Sequence, residues 1–336
     1  MRRVTRRPTL LALRALGLGD LLTAVPALRG LAAGFADHEL VLVTPRSLGP
    51  LAVLAGAADA ILPADGLEAL VGLPAGAVAV NLHGRGPQSH RALLAARPSR
   101  LIAFRHPDVA ESAGGPVWRT DEHEVSRWCR LVEGFGVPAD PDRLDVAAPD
   151  RPIAERASGA VLLHPGAKHP ARRWPPSRWG RLAARLRAGG RRVVVTGGRD
   201  EAGLARSVAE LGGLDGRSVL RDMDVLDLVA AVAAAGLVVA GDTGVAHVAT
   251  ATRTPSVLLF GPTSPDRWGP PADRAEHRVL WTGRRGDPHA AETFVGLLEI
   301  RVDAVLAAVD ASVGRPSAPP RPETAAGTTG QRRPVE

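Results

Sequence analysis

The sequence predicts an α/β protein made of two Rossmann-like, doubly wound domains facing each other across a cleft. Three observations lead there. Short apolar runs at Thr9–Leu13, Glu39–Thr44, Ala77–Leu82 and Arg100–Phe104 alternate with Ala-rich helical stretches, which is the rhythm of βαβ units. A Pro- and Asp-rich stretch without sustained periodicity interrupts that rhythm over Val137–Ser158, and from Val161 onward it resumes. A chain of 336 residues with 45% hydrophobic content is long enough for two cores. The expected organisation is a first domain over 1–145, a linker over 146–158 and a second domain over 159–313. Residues 314–336 are Pro-, Ala- and Thr-rich with too little apolar surface to offset ordering entropy, and they read as a disordered tail.

Taken in order, MRRVTRRPTLLALRALGLGD opens with a basic start and an apolar run like those of a signal peptide. Arg14 breaks the run, which leads straight into a Gly-Leu-Gly-Asp turn, so it reads as the first strand and the head of a helix over Leu21–Leu31. In the second half, LLHPGAKHPARRWPPSRWGRLAARL is a strand, a Gly-containing loop carrying Lys168, Arg172 and Arg173, and a helix opened by Pro-Pro-Ser. Such a loop suits a phosphate-bearing ligand. RRVVVTGGRDE ends a four-residue apolar strand with Thr-Gly-Gly and an acidic pair. The most informative stretch is GLVVAGDTGVAHVATATRTPSVLLFGPT, with two buried strands bracketing a helix that starts at Thr243–Gly244. There Asp242 is placed to cap the helix, and His247 lies one turn in from Thr243. A helix head at the carboxyl edge of an open sheet offers free N–H groups and a positive dipole end to an anion.

The order and combination of these segments, together with LRALGLGDLLTAVPAL near the amino end, resemble glycosyltransferase family 9, the ADP-heptose:lipopolysaccharide heptosyltransferase family. The resemblance runs from about Leu10 to Val313. It implies the GT-B architecture and an inverting, metal-independent transfer of a heptose or related sugar from a nucleoside diphosphate, ADP by analogy, to a hydroxyl of a glycan or glycolipid. It implies no cofactor. Asp20 matches the family's proposed base, although an ordinary helix cap is the alternative reading of an Asp in that turn. Gly166 and Ala167 match backbone donors to the nucleotide, and Arg172 matches the basic residue before Trp-Pro that faces the leaving diphosphate. Many members carry Lys there; Arg keeps the charge and gains a bidentate fork. Glu201 matches the acidic residue on the ribose, and Asp242, Thr243, Gly244 and His247 match the diphosphate loop. On the acceptor side, NLHGRGPQSH presents His83, Arg85 and Gln88. In such folds the terminal helix, here near Val302–Val309, often returns to the first domain.

Other classes fit less well. The formal charge of +7 invites a nucleic-acid partner, but Lys168 is the only lysine, tyrosine is absent and aromatics make up 3% of the chain, so base-stacking platforms are lacking. Asp222-Met223-Asp224 looks like a metal-binding DxD but directly precedes the apolar helix Val225–Ala235, where Asp is an ordinary cap. His123-Glu124 lacks the second histidine of a zinc helix, and the lone Cys129 falls on an apolar helical face. The sequence therefore predicts no metal site. Trp174 and Trp179 read as core residues. The longest apolar stretch, Val225–Ala240, is shorter than the ~20 residues of a membrane span. A cytoplasmic protein is expected, with Arg2, Arg3, Arg6 and Arg7 either a solvated terminus or a peripheral contact with an anionic membrane surface. A nucleotide-sugar epimerase of the same fold and a noncatalytic nucleotide-sugar-binding protein are the competing readings.

Overall fold

The computed structural model describes residues 7–313. The expected disorder of 314–336 and the residues Arg2, Arg3 and Arg6 lie outside them.

The first half contains β1 (Thr9–Leu13), α1 (Leu18–Gly34), β2 (Glu39–Thr44), α2 (Gly49–Leu54), β3 (Ala60–Pro63), β4 (Val78–Asn81), α3 (Gln88–Leu94), β5 (Arg100–Ile102) and α4 (Glu124–Glu133). The second contains α5 (Ile153–Ala157), β6 (Val161–His164), α6 (Pro176–Ala188), β7 (Val193–Thr196), α7 (Ala202–Leu211), β8 (Val219–Leu220) and α8 (Val225–Ala234). It continues with β9 (Leu237–Gly241), α9 (Gly244–Ala251), β10 (Ser256–Leu259), α10 (Pro265–Trp268), β11 (His277–Leu280), α11 (Val295–Glu299) and α12 (Val302–Val313). The strands at β1, β2, β4, β6, β7, β9 and β10 fall where apolar runs predict them. Strands β3, β8 and β11 carry no comparable signal, being short or interrupted by charge.

All pairings between these strands are parallel. The first sheet has the order β3-β2-β1-β4-β5, and the second, read from its other edge, runs β8-β7-β6-β9-β10-β11. Both follow the doubly wound pattern, in which chain direction across the sheet reverses beside the first strand. The reversal points lie between β1 and β4 in one sheet and between β6 and β9 in the other. A crevice forms at the carboxyl ends of those strands, so the loops after β1, β4, β6 and β9 are where ligands belong.

Two separate cores are not what forms. One continuous apolar cluster runs from Leu10, Ala12 and Leu42 of the first sheet through Val25 and Leu28 of α1, Val232 of α8 and Val248 of α9 to Val238 and Leu258 of the second sheet. The inner helices of both halves are apolar on more than one side. They bury one face on their own sheet and another on each other. The outer face of each sheet has its own smaller cluster.

A further expectation is corrected. Helix α12 does not return to the first domain. It packs on α6, β9, β10 and β11, with Val302, Val305 and Val309 in the second domain's outer cluster. Arg185–Asp303 at 2.9 Å and Arg191–Asp310 at 3.0 Å hold it there. Within 146–158, expected to be linker, Ile153–Ala157 forms α5 against α8. Asp145 is the knot, accepting from Arg253 and Arg274 of the second half at 2.8 and 2.7 Å through its side chain and from Arg29 of α1 at 2.8 Å through its carbonyl.

Candidate active site

Asp20 does not begin the helix, as the sequence suggested. Helix α1 starts two residues earlier, with Gly17 as N-cap, so Asp20 is the third helical residue and its carboxylate turns back to accept the Gly17 N–H at 3.2 Å. A glycine cap has no side chain to offer, and the acidic residue one turn in supplies the anion to the helix head instead. Its other oxygen lies 3.4 Å from Arg14, a guanidinium 1% exposed at the end of β1.

Across the interface, α9 begins at Gly244 with Thr243 as N-cap. Asp242 is therefore not the cap. It is buried at the end of β9, and burial pushes its carboxyl up to about 6, opposed by the nearby Arg172 charge and a hydrogen bond from Thr263. His247, one turn into α9, is held down to about 4 by burial, with the Asp20 carboxylate pulling the other way.

The two helix heads touch. A β-carbon at Gly19 would lie 2.7 Å from His247 Cδ2, and one at Gly244 would lie 2.8 Å from the β-carbon of Leu18. Trp268 backs the His247 ring edge-on at 5.8 Å. Two positive helix termini thus converge with little between them but glycine.

Behind α9 lies the loop after β6. Arg172 ends a short turn over Pro170–Arg172 and reaches the Asp242 carbonyl at 3.4 Å, while its buried Nε meets no protein acceptor. The Thr243 hydroxyl is also buried without a partner. The 287–290 segment closes over this loop through Ala171 N–H to the Ala290 carbonyl at 3.2 Å and a His169–His289 ring contact at 3.1 Å. Further along the same edge, Glu201 accepts the Gly198 N–H at 2.9 Å and lies 3.8 Å from His164. Its carboxylate fills the space in front of Gly166, where a β-carbon would come within 2.2 Å of it. Ala167 is buried beside them, and its carbonyl accepts from Arg173 at 2.7 Å.

On the other side, His83 follows β4 and is pushed down to about 4 by burial and by Arg14, with Asp20 opposing. Arg85 and Gln88 are exposed, the first on the loop and the second as the first residue of α3. No hydrogen bond or ion pair ties either side chain to another described residue.

Among the described residues no group of three or more His, Cys, Asp or Glu side chains could hold a metal ion. Asp224 caps α8, accepting the Asp227 N–H at 2.8 Å, and pairs with Arg151 at 3.6 Å. Trp174 and Trp179 are 2% and 1% exposed and pack edge to face, and Cys129 is buried with its thiol pushed up to about 12. A surface cavity of about 470 Å³ lies away from these loops, between β11 and the start of α12. Sequence reasoning noted Arg14 only as a break in an apolar run and His123-Glu124 only as an incomplete zinc motif, and it passed over His164 and Trp268. A lone arginine ending a buried strand was the available signal for the first.

Residues 117–291 match the family model described as glycosyltransferase family 9 (heptosyltransferase), and the chain belongs to that family. The match takes in the Arg172, Glu201 and Asp242–His247 loops and stops short of Asp20. Among characterised relatives, lipopolysaccharide heptosyltransferase 2 of Escherichia coli K12 is 32% identical over 157 residues. That alignment covers 44% of this chain and 44% of the relative, so the chain matches less than half of that protein's length. Two solved structures share the fold over nearly the whole chain. A family 9 glycosyl transferase from Veillonella parvula has a TM-score of 0.74 at 18% identity, covering 92% of this chain and 98% of that one. The E. coli ADP-heptose lipopolysaccharide heptosyltransferase II has a TM-score of 0.72 at 19% identity, covering 91% and 98%. The two facing sheets are the GT-B arrangement. No helix among the described residues is long and apolar enough to cross a membrane.

Proposed function

We propose that this protein is an inverting glycosyltransferase that moves a heptose or related sugar from ADP to a hydroxyl of a glycan or glycolipid. The observation that carries this reading is the contact between the head of α1, which bears Asp20, and the His247 ring and Gly244 of the second domain, beside which Arg172 reaches the Asp242 carbonyl. In the reaction the acceptor oxygen forms a bond to the anomeric carbon, the bond from that carbon to the diphosphate oxygen breaks, and the acceptor proton passes to Asp20. Displacement from the face opposite the leaving group inverts the anomeric centre. The departing diphosphate gains negative charge, which Arg172 and the two helix termini stabilise. His247, kept neutral by burial, is a hydrogen-bonding group rather than a cation at neutral pH.

Gly166, Ala167 and Glu201 take the nucleoside, Thr243, Gly244 and His247 the diphosphate, and His83, Arg85 and Gln88 the acceptor side. Domains bounded at 1–145 and 159–313, a cytoplasmic location and contact with a membrane surface bearing a lipid-linked acceptor belong to the same proposal. The E. coli relative acts, by its name, on lipopolysaccharide, which makes a heptose-deficient lipopolysaccharide glycolipid the first acceptor to try. The test is ADP release and anomeric configuration, followed by NMR, with ADP-heptose and that glycolipid. Asp20→Asn should bind donor normally and turn over ~10²–10⁴-fold more slowly, the usual span for a general base. Wild-type transfer by that variant would remove Asp20 from the mechanism.

A further inference from the structure

We infer that Arg14 is a positioning residue for the Asp20 base, locked in turn by the buried carboxylate of Glu124. This rests on the reading of Asp20 as base. Arg14 ends β1 with 1% of its surface exposed, and a guanidinium taken so completely from water is tolerated only where its N–H groups meet fixed acceptors. Its Nε donates to the Asp20 carbonyl at 2.9 Å and one terminal nitrogen donates to the Leu82 carbonyl at the end of β4. The other lies 3.4 Å from each of Asp20 Oδ1, Thr23 Oγ1 and Glu124 Oε1. The ring of Trp128 covers the guanidinium at 4.5 Å. Every edge of the fork is taken, by groups on β4, α1 and α4.

Glu124 is itself fixed. It is the first residue of α4, 5% exposed, and accepts from Trp128 Nε1 at 3.0 Å and from Arg127. Arg127 is anchored by the carbonyls of Arg119, Thr120 and Glu122 and lies over Trp118. An unbroken chain of charge-assisted contacts therefore runs from the 118–128 segment to Asp20. It orients Oδ1 of Asp20 through Arg14, while the Gly17 N–H at the head of α1 orients Oδ2. A structural anchor alone would have no need to reach the oxygen of a side chain 30% open to the cleft. What the arrangement secures is the direction of the lone pair that takes the acceptor's proton. A lysine keeps the charge but offers one point where the fork needs three directions.

The test uses ADP-heptose as donor and heptose-deficient lipopolysaccharide glycolipid as acceptor, with kcat, donor Kd by calorimetry and thermal unfolding measured for Arg14→Lys, Glu124→Gln and each combined with Asp20→Asn. Arg14→Lys should lower kcat by about 10²-fold, the effect of a ~1 Å misplacement at a reacting group, with donor Kd within about twofold of wild type. Glu124→Gln, nearly isosteric, should show the same split at about 10-fold, and neither should slow an enzyme already carrying Asp20→Asn, since groups acting as a unit are not additive. Equal losses in kcat, donor affinity and unfolding temperature would reduce Arg14 to a structural anchor and overturn the inference. Full kcat in Arg14→Lys and Glu124→Gln beside a dead Asp20→Asn would also overturn it while leaving the base in place. A fully active Asp20→Asn would remove the base and its positioning residue together.

Discussion

Gly19 and His247 meet where the two domains meet: a β-carbon on the former would stand 2.7 Å from the imidazole Cδ2 of the latter. The glycine is helical, so its use is not conformational freedom but closeness. It lets the head of α1, and with it Asp20, come against the Asp242–His247 loop of the second domain. Trp268 packs against the ring edge-on at 5.8 Å.

Gly19→Ala should therefore destabilise the protein although alanine is the better helix former. The helix gains up to ~1 kcal/mol in propensity, while overpacking against a braced ring costs ~1–3 kcal/mol. Thermal unfolding and ADP affinity should both fall. A variant more stable than wild type would show that the helix heads stand further apart.

Gly166→Ala acts through Glu201. Its β-carbon would fall 2.2 Å from the carboxylate, which must swing out and release the Gly198 N–H. Loss of one hydrogen bond to a charged group amounts to about 1.5–3 kcal/mol. ADP titration should show weaker binding, with the fold retained by circular dichroism; unchanged affinity would separate Glu201 from the nucleoside.

Arg172→Ala should weaken ADP binding by a similar ~1.5–3 kcal/mol, because the guanidinium, held with Nη1 on the Asp242 carbonyl, keeps a buried Nε without a protein partner. Unchanged affinity in calorimetry would hand the role to Lys168 or Arg173.

Stability should fall as pH is lowered from about 6.5 to about 4. His83, His247 and His277 are each held down to about 4 by burial, below the ordinary 6.5, so in this window the unfolded chain binds protons that the native state refuses. Asp242 acts oppositely. Its native carboxyl, up at about 6, binds a proton before the unfolded group does near 3.8, which offsets part of the loss between pH 6 and 4. Unfolding midpoints across this range should decline on acidification, and more steeply in Asp242→Asn. A flat profile would mean that the histidines charge without unfolding the site.

Transfer should survive EDTA. Asp224, the better-placed half of the Asp-x-Asp sequence, is committed to capping α8 and to Arg151. Asp224→Ala should cost ~0.5–2 kcal/mol of stability as a lost N-cap and leave turnover intact. Activity abolished by EDTA and restored by Mn²⁺ would reverse this assignment.

The apolar runs by themselves determined that strands alternate with helices, because burial on both faces of a parallel sheet requires near-continuous Val, Leu and Ala, and a run such as Val193–Thr196 admits little else. Local chemistry likewise located the loops that carry Asp20, Arg172, Glu201 and Asp242, since glycine and a charged residue just past a buried strand are a local pattern. Tertiary structure alone decided the rest. Capping depends on backbone angles, so Asp20 moved inside its helix and Asp242 lost its cap to Thr243. The packing of α12 depends on which apolar faces remain uncovered, and those belonged to the second sheet. Above all, the fusion of the inner helices into one core, and the link from Glu124 through Arg14 to Asp20, join residues separated by 110 and 6 positions. No periodicity within either half encodes these contacts: the shared core forms because the two doubly wound sheets bury their inner helices against each other, and the link to Asp20 forms because α4 packs on α1 within the first half.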